Sequence, residues 1–465
     1  MEIKRKAYSQ LLNWKNKKNH KPLIVEGLRQ VGKSYIVNKF ANENYANVIT
    51  YDFRYRKELT KIFSDDLDVD TIIRKSKLFF TDKNFDLPST VLIFEEIGDC
   101  PLARIALKSF ALDGRYDVIA TGSLLGVINF RRKNRIKIPT GYEEYLYMSG
   151  LDFEEFLWAN GIDEAQINEL RTHTKEKTEL DSFTADFYKK QIKNYLAIGG
   201  LPEVVSVFVD TNRNYIEARN ILDRLLTDYR TDFGRFVDDS GKEEIDYRLQ
   251  NQLNMIFDSI PKQLARETDV NKFKYSEIKK GGRAAEFKEG FEWLEKAGLV
   301  LRCFNVKAPE SPLSMNADET YFKAFISDTG LLMAMYPIVT LRDFLNDSLD
   351  SRKGALYENL AGVLIHKAGF PLYYYANGEK HLEIDFLIEG SSGLILYEEK
   401  STNGKMAASR AIMTGQTPFS ASVCYKIIEN NFGKGSFYLS VPQYCAPFLL
   451  DEIRNAIYDF SVNKQ

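Results

Sequence analysis

The most explicit chemistry in the chain lies in Gly27-Leu28-Arg29-Gln30-Val31-Gly32-Lys33-Ser34, which reads GxxxxGKS between the apolar run Leu23-Ile24-Val25 and a helical stretch from Tyr35 to Phe40. That order of strand, loop and helix is what a phosphate-binding P-loop requires. The glycines let backbone N–H groups converge on phosphate oxygens, and the helix N-terminus adds partial positive charge. Lys33 is expected to reach the β and γ oxygens, and Ser34 to ligate Mg²⁺. ATP and Mg²⁺ are therefore the expected ligands. Further on, Val91-Leu92-Ile93-Phe94 is an apolar strand that delivers Glu95 and Glu96 at its end. The first stands where a metal-associated acid belongs and the second where a water-activating acid belongs. Aspartate is the usual first acid. The extra methylene of Glu95 moves its carboxylate by about an ångström, the scale at which misplacement can weaken catalysis roughly a hundredfold. The sequence thus argues for binding more strongly than for turnover. A further strand, Asp117-Val118-Ile119-Ala120, ends in Thr121-Gly122-Ser123, which would bring Ser123 to the γ-phosphate or the attacking water, although TGS alone is only a turn.

A second set of groups stands near the C-terminus. His381 to Ile388 (HLEIDFLI) alternates as a strand around Asp385, and Leu394 to Lys400 (LILYEEK) as another carrying Glu398 and Lys400, so the spacing is D(x12)ExK. Strand alternation puts Glu398 and Lys400 on one face and Glu399 on the other. Asp385 and Glu398 would hold Mg²⁺ through oxygen ligands, Lys400 would position or polarise an attacking water, and Glu358 on the preceding helix could add an acid. Acid and lysine pairs at strand ends are also common surface salt bridges, so a nuclease and an inactive binding fold both stay open. Lys272, Lys274, Lys279, Lys280, Arg283 and Lys288 form a basic cluster suited to phosphate contacts, interleaved with Glu277, Glu286 and Glu289 as an exposed helix face would be. The four histidines, His20, His173, His366 and His381, show no metal-ligand spacing, and Cys100, Cys303, Cys424 and Cys445 form no CxxC pair.

The elements that must carry these groups need several cores. At roughly 100–200 residues per domain, 465 residues imply two to four domains. With 63 basic and 65 acidic side chains the formal charge is -2, which excludes a polycation or an acidic tail and confines any nucleic-acid contact to patches. A hydrophobic content of 44% with 13% aromatics supports packed cores and excludes wholesale disorder. No stretch approaches the roughly 18 apolar residues of a membrane span, and the start MEIKRKAYSQ lacks the apolar region of a secretory signal, so a cytoplasmic location without membrane contact is expected. Residues 21–150 alternate short β-rich runs with helices, residues 150–240 turn helical, residues 245–335 give helix, short helix, helix and a β pair, and the chain beyond Gly354 reads as a separate α/β unit.

With GLRQVGKS, FEE, ATGS, GGLPEVV, YRTDF, ISDTGLL and GALYENL in this order, the chain resembles the prokaryotic AAA-type ATPases that carry a C-terminal domain of unknown function. The resemblance implies an α/β multidomain fold: a P-loop AAA-type core over 1–149, a helical lid over 150–244, a winged helix over 245–344, and over 345–465 an α/β domain similar to restriction endonucleases and other PD-(D/E)xK nucleases. It implies an ATPase whose nucleotide state controls a winged helix and a nuclease-like domain acting on DNA. The alternative is a nucleotide-dependent switch or scaffold that binds proteins or itself. Family members usually show an Asp-Glu pair and a Gly-Arg where this chain has Glu95-Glu96 and Gly141-Tyr142. An arginine donated to a neighbour's γ-phosphate would come from Arg131, Arg132 or Arg135, unless that basic run is a solvated or nucleic-acid-facing loop, and Arg230 is a candidate lid sensor.

Overall fold

A computed structural model describes residues 1–123, 140–237, 243–265, 272–349, 353–377, 382–400 and 406–462. The first part is built on five strands, β1 (Leu23–Gly27), β2 (Asn47–Asp52), β3 (Thr90–Glu95), β4 (Asp117–Ser123) and β5 (Glu144–Met148), all parallel in the order β2-β3-β4-β1-β5. Strands buried on both faces read as continuous apolar runs, as β1 and β3 do. Leu23, Val25, Val91 and Ile93 point into one core, with helices α1 (Lys6–Asn16) and α2 (Lys33–Asn44). Ile24, Leu92 and Phe94 point into the other, under α3 (Val69–Phe79) and α4 (Pro101–Asp113). The P-loop leaves β1 in mid-sheet, flanked by β4 and β5, so the carboxyl ends of β1, β3 and β4 open toward one crevice, where ligands of open α/β sheets bind.

Five helices follow: α5 (Phe153–Ala159), α6 (Glu164–Glu176), α7 (Ser182–Ile198), α8 (Pro202–Asp210) and α9 (Tyr215–Asp232). Asp152 with Glu155, and Asp163 with Gln166, close reciprocal capping boxes on α5 and α6. After the short antiparallel pair β6 (Arg235–Val237) and β7 (Glu243–Ile245) come α10 (Tyr247–Leu264), a single 3-10 turn Tyr275–Glu277 and α11 (Ala284–Lys296). The antiparallel strands β8 (Val300–Val306) and β9 (Ala317–Ile326) lead to α12 (Thr329–Met335) and α13 (Ile338–Leu345). The rest of the chain runs α14 (Lys353–Lys367), β10 (Tyr373–Asn377), β11 (Leu382–Gly390), β12 (Gly393–Glu399), α15 (Ala407–Met413), β13 (Val423–Ile428), β14 (Gly433–Lys434), β15 (Leu439–Pro442) and α16 (Ala446–Val462).

The strands beyond Gly354, expected as a unit of their own, share a sheet with the hairpin before them. Strands β8 and β9 are not an isolated wing: β8 pairs in parallel with β10 through Tyr373 opposite Phe304 and Tyr374 opposite Asn305. One eight-stranded sheet therefore runs β14-β15-β13-β12-β11-β10-β8-β9. The hairpin satisfies one edge of the C-terminal strands, which would otherwise present unpaired backbone groups.

The segments GGLPEVV, ISDTGLL and GALYENL meet in a buried joint. Asp328 caps α12 by accepting from Leu331 N at 3.1 Å, and its other oxygen accepts from Gly200 N at 2.8 Å. Gly199 has φ 75, and a Cβ there would overlap the Asp328 carboxylate; a Cβ on Gly330 would overlap the Ile198 carbonyl. Asn359, fully buried on α14, pairs with both backbone groups of Ile326, donating to its oxygen at 3.0 Å and accepting from its nitrogen at 2.8 Å. Lys367 on the same helix reaches back to Leu151 O at 2.7 Å and Tyr195 Oη at 2.8 Å. These polar groups find their partners inside the protein, where losing one would cost about 1–3 kcal/mol. Among the described residues, no helix is long and apolar enough to cross a membrane.

Candidate functional site

A cleft of about 530 Å³ opens between the P-loop and the C-terminal end of α9, lined by Arg29, Lys33, Ser34, Arg54, Glu96, Tyr229, Asp232 and Arg235 among others. Gln30 and Gly32 take left-handed φ values of 65 and 86, which bend the loop back on itself before α2 begins. Lys33 is buried and donates to Gly27 O at 3.1 Å and Leu28 O at 2.9 Å, so its ammonium lies folded on the loop it serves. Burial pushes this lysine down to about 8; Glu96 works against the shift, and Arg29 and Arg54 reinforce it. A lysine so placed gives up its proton more readily than an exposed one and would have to regain it to meet a phosphate. Nucleotide affinity is accordingly expected to fall as pH rises past about 8, approaching roughly tenfold per unit, because binding must then recharge the lysine. A dissociation constant that stays flat between about pH 7 and 9.5 would show instead that Lys33 keeps its proton in the free protein over that range.

Behind the loop, Arg5 holds three partners: Val31 O at 2.8 Å, Ser149 O at 2.7 Å and the Glu155 carboxylate at 3.2 Å. Toward the cleft, Asn38 donates to Glu95 at 2.8 Å, and the Ser34 hydroxyl is hydrogen-bonded to the same carboxylate. Burial raises the Glu95 acid, with the Asn38 and Ser34 hydrogen bonds opposing. Serine hydroxyl and carboxylate side by side are the oxygen donors that Mg²⁺ prefers, so Ser34 and Glu95 fit that ion. Glu96 sits at a left-handed φ of 51, its N–H directed at Thr121 Oγ1 at 3.4 Å and its carboxylate 3.9 Å from Arg54. A non-glycine residue held there is over-determined by its surroundings, as residues at functional sites often are. Ser123 pairs by backbone register with Gly27, so β4 ends beside the start of the P-loop, and it is Thr121 of the TGS segment that touches Glu96.

Three cleft arginines were not singled out by sequence: Arg54, Arg235 and, beyond its place in the motif, Arg29. Arg29 pairs with Asp232, which also faces Arg235 at 3.5 Å, and Tyr229 Oη donates to Arg29 O at 2.9 Å. The Nε of Arg29 is buried without a hydrogen-bond partner, a donor that a phosphate or ribose oxygen would satisfy. The Arg29 and Asp232 pair carries no local signal, since its members lie far apart in the chain. Arg230, expected as the lid sensor, instead binds Asp258 on α10 at 2.8 Å and does not line the cleft, because the helical turn directs it to the neighbouring helix. Arg131, Arg132 and Arg135 lie outside the described residues.

The second cluster sits on the eight-stranded sheet. Lys400 Nζ lies 2.6 Å from Asp385 Oδ2 and 3.0 Å from Glu398 Oε2, and Glu399 N donates to Asp385 at 2.9 Å. Ser409 donates to the remaining oxygen of Glu398. Burial first, and then Asp385, push Glu398 up to about 7 against Lys400. Burial would raise Asp385 too, but Lys400 and Lys323 outweigh it and hold the acid below its ordinary value. Glu399 points the other way and accepts from Gln443 at 2.7 Å. Glu358 joins through Lys323 of β9, which lies 2.5 Å from Glu358 and 2.7 Å from Glu383. Sequence reading missed Lys323 and Glu383, which resemble the charged positions of any alternating strand. Asp385 and Glu398 face each other across the Lys400 ammonium, and among the described residues no group of three or more His, Cys, Asp or Glu side chains is arranged for a metal. The basic cluster of the 3-10 turn and α11 leaves Lys272, Lys279, Lys280, Arg283 and Lys288 exposed, with Lys279 paired to Glu286 at 3.0 Å.

Residues 19–157 match the family model of an AAA domain. Residues 189–342 match that of a domain of unknown function (DUF8612), and residues 353–444 that of a second one (DUF4143). No curated relative matches the chain. Among solved structures, the chain is similar to the Walker-type ATPase paby2304 of Pyrococcus abyssi, at 14% identity and a TM-score of 0.41 over 72% of this chain and 96% of that one. It is also similar to the Aeropyrum pernix ORC2 protein in ADPNP-ADP complexes, at 10% identity and a TM-score of 0.34 over 76% and 95%. The Thermotoga maritima RuvB Holliday junction branch migration motor matches at 12% identity and a TM-score of 0.28 over 64% and 90%.

Proposed function

We propose, from the premise that this chain carries a prokaryotic AAA-type P-loop domain at residues 19–157, that it hydrolyses ATP and couples its nucleotide state to a winged helix and nuclease-like half acting on DNA. The observation that carries the ATPase reading is the convergence of Lys33, Ser34 and Glu96 on one cleft, with Glu95 tied to Ser34 through Asn38 behind it and the Arg29 and Asp232 pair on the opposite side. In this reading the P-loop amides and Lys33 bind the phosphates, Ser34 and Glu95 hold Mg²⁺, and Glu96 takes the proton from the attacking water. The bound Mg²⁺ would neutralise charge on the phosphates. Arg54, beside Glu96, would orient that carboxylate and add positive charge near the γ-phosphate.

The DNA-directed part is supported by element order. Helix α14, strands β10 to β12, helix α15 and strand β13 follow the αβββαβ order of the nuclease-like fold, with Asp385, Glu398 and Lys400 on adjacent strands β11 and β12 and the chain just beyond them. The exposed cations of α11 and its preceding turn suit phosphate contacts. A second reading, a nucleotide-dependent protein-binding switch, is favoured by one observation: Lys400 and Ser409 together occupy both Glu398 oxygens, so the acids are already satisfied.

ATP turnover measured without DNA, with single-stranded DNA and with duplex DNA separates the two. The first reading expects turnover that rises several-fold with one DNA form, by about 1 kcal/mol or more of barrier, and that disappears in Lys33→Ala. Turnover equal in wild type and Lys33→Ala would remove the ATPase reading; turnover indifferent to all DNA would favour the switch.

A further inference from the structure

Lys323 lies outside the Asp385, Glu398 and Lys400 triad and is a buried cation of the C-terminal half. It projects from β9, the edge strand, and its ammonium reaches Glu383 on β11, so the side chain lies across β8 and β10. The same ammonium binds Glu358 on α14, and only 9% of the residue is exposed. Opposite Lys323 in the β8 register stands Cys303, a small buried side chain that leaves the lysine its path. Tyr374 of β10 lies under it, with Nζ 4.8 Å from the ring centroid, a favourable seat for a cation. Two carboxylates from two elements, a third at Asp385 close by, and an aromatic floor make a cation site, and the cation is already covalently part of the protein.

We propose that Lys323 is the built-in cation of the C-terminal acid cluster, occupying the place between Glu358 and Glu383 that a divalent ion would otherwise take. The cluster then has room for one divalent ion at most, at Asp385 and Glu398, and the β8 and β9 hairpin, through this lysine, completes it. Buried like charges without a counter-ion repel, and oxygen-rich carboxylate pairs take hard divalent cations. Removing the lysine should convert its seat into such a site. The proposal rests on the nuclease-like reading only for the neighbouring ion.

The test is Mn²⁺ binding to the nucleotide-free full chain, followed by electron paramagnetic resonance. Lys323→Met should bind about one more Mn²⁺ per chain than wild type, and the extra ion should vanish when Glu358→Gln and Glu383→Gln are added. Equal stoichiometry in wild type and Lys323→Met would overturn the proposal, as would a wild-type ion that Glu383→Gln removes. Should Lys323→Met fail to fold, Lys323→Met combined with Glu358→Gln and Glu383→Gln decides the matter: recovery of a cooperative melting transition supports the built-in cation, and continued failure means the lysine serves packing alone. Loss of wild-type Mn²⁺ in Asp385→Ala reports separately on the nuclease-like reading.

Discussion

Glu96→Gln is expected to bind Mg-ATP as wild type does and to hydrolyse it roughly 10²–10⁴ times more slowly, the usual worth of a positioned general base. The expectation follows from geometry. Glu96 ends an apolar strand in a left-handed conformation, is tied through its N–H to Thr121, and turns its carboxylate into the cleft beside Arg54. Glutamine keeps the shape and the Arg54 side of that arrangement but cannot accept the proton. Phosphate release measured against binding of a fluorescent ATP analogue checks it; hydrolysis at the wild-type rate would assign the water to another group. Glu95→Asp is the companion variant. Shortening the acid breaks the reach to Asn38 and Ser34 seen here, so a faster rate would mean that the longer side chain had been holding the metal away from its best position.

Asp385→Ala and Glu398→Ala are each expected to abolish Mg²⁺- or Mn²⁺-dependent phosphodiester cleavage, with ATP binding untouched. Uncatalysed cleavage is so slow that losing a metal-binding carboxylate removes essentially the whole detectable rate. Glu399→Gln should cleave like wild type, since Glu399 faces Gln443 on the other side of β12 and glutamine can keep that hydrogen bond. The comparison uses purified full-length protein with ATP, each metal, and single- and double-stranded DNA and RNA. Wild type and Asp385→Ala equally inert across that panel would leave the fold as a binding module.

The P-loop was legible because its chemistry is contiguous: eight consecutive residues carry the turns, the lysine and the hydroxyl. The central strands were legible because burial on both faces leaves short continuous apolar runs, as in Leu23 to Val25 and Val91 to Phe94. What stayed hidden was paired over long separations. Arg29 meets Asp232, Gly200 meets Asp328 and Lys323 meets Glu383, and nothing near either partner announces the other. The single sheet through β8 and β10 was hidden for the same reason, since two opposed residue pairs carry the connection and leave no periodic trace. Arg230 misled because a conspicuous motif, YRTDF, said nothing about which side of α9 its arginine takes; the neighbouring Asp232 holds the cleft side.

The Asp328 joint bears on how force travels through the molecule. Its bonds to Gly200 and Leu331, and the Asn359 bridge to Ile326, weld the helices after Gly150 to the distal sheet by buried backbone contacts, with no room for a Cβ at the seam. Such a seam transmits torque and resists shear. A side chain added at Gly199 or Gly330 would therefore disturb both sides of the seam at once, the helices after Gly150 and the far strands alike.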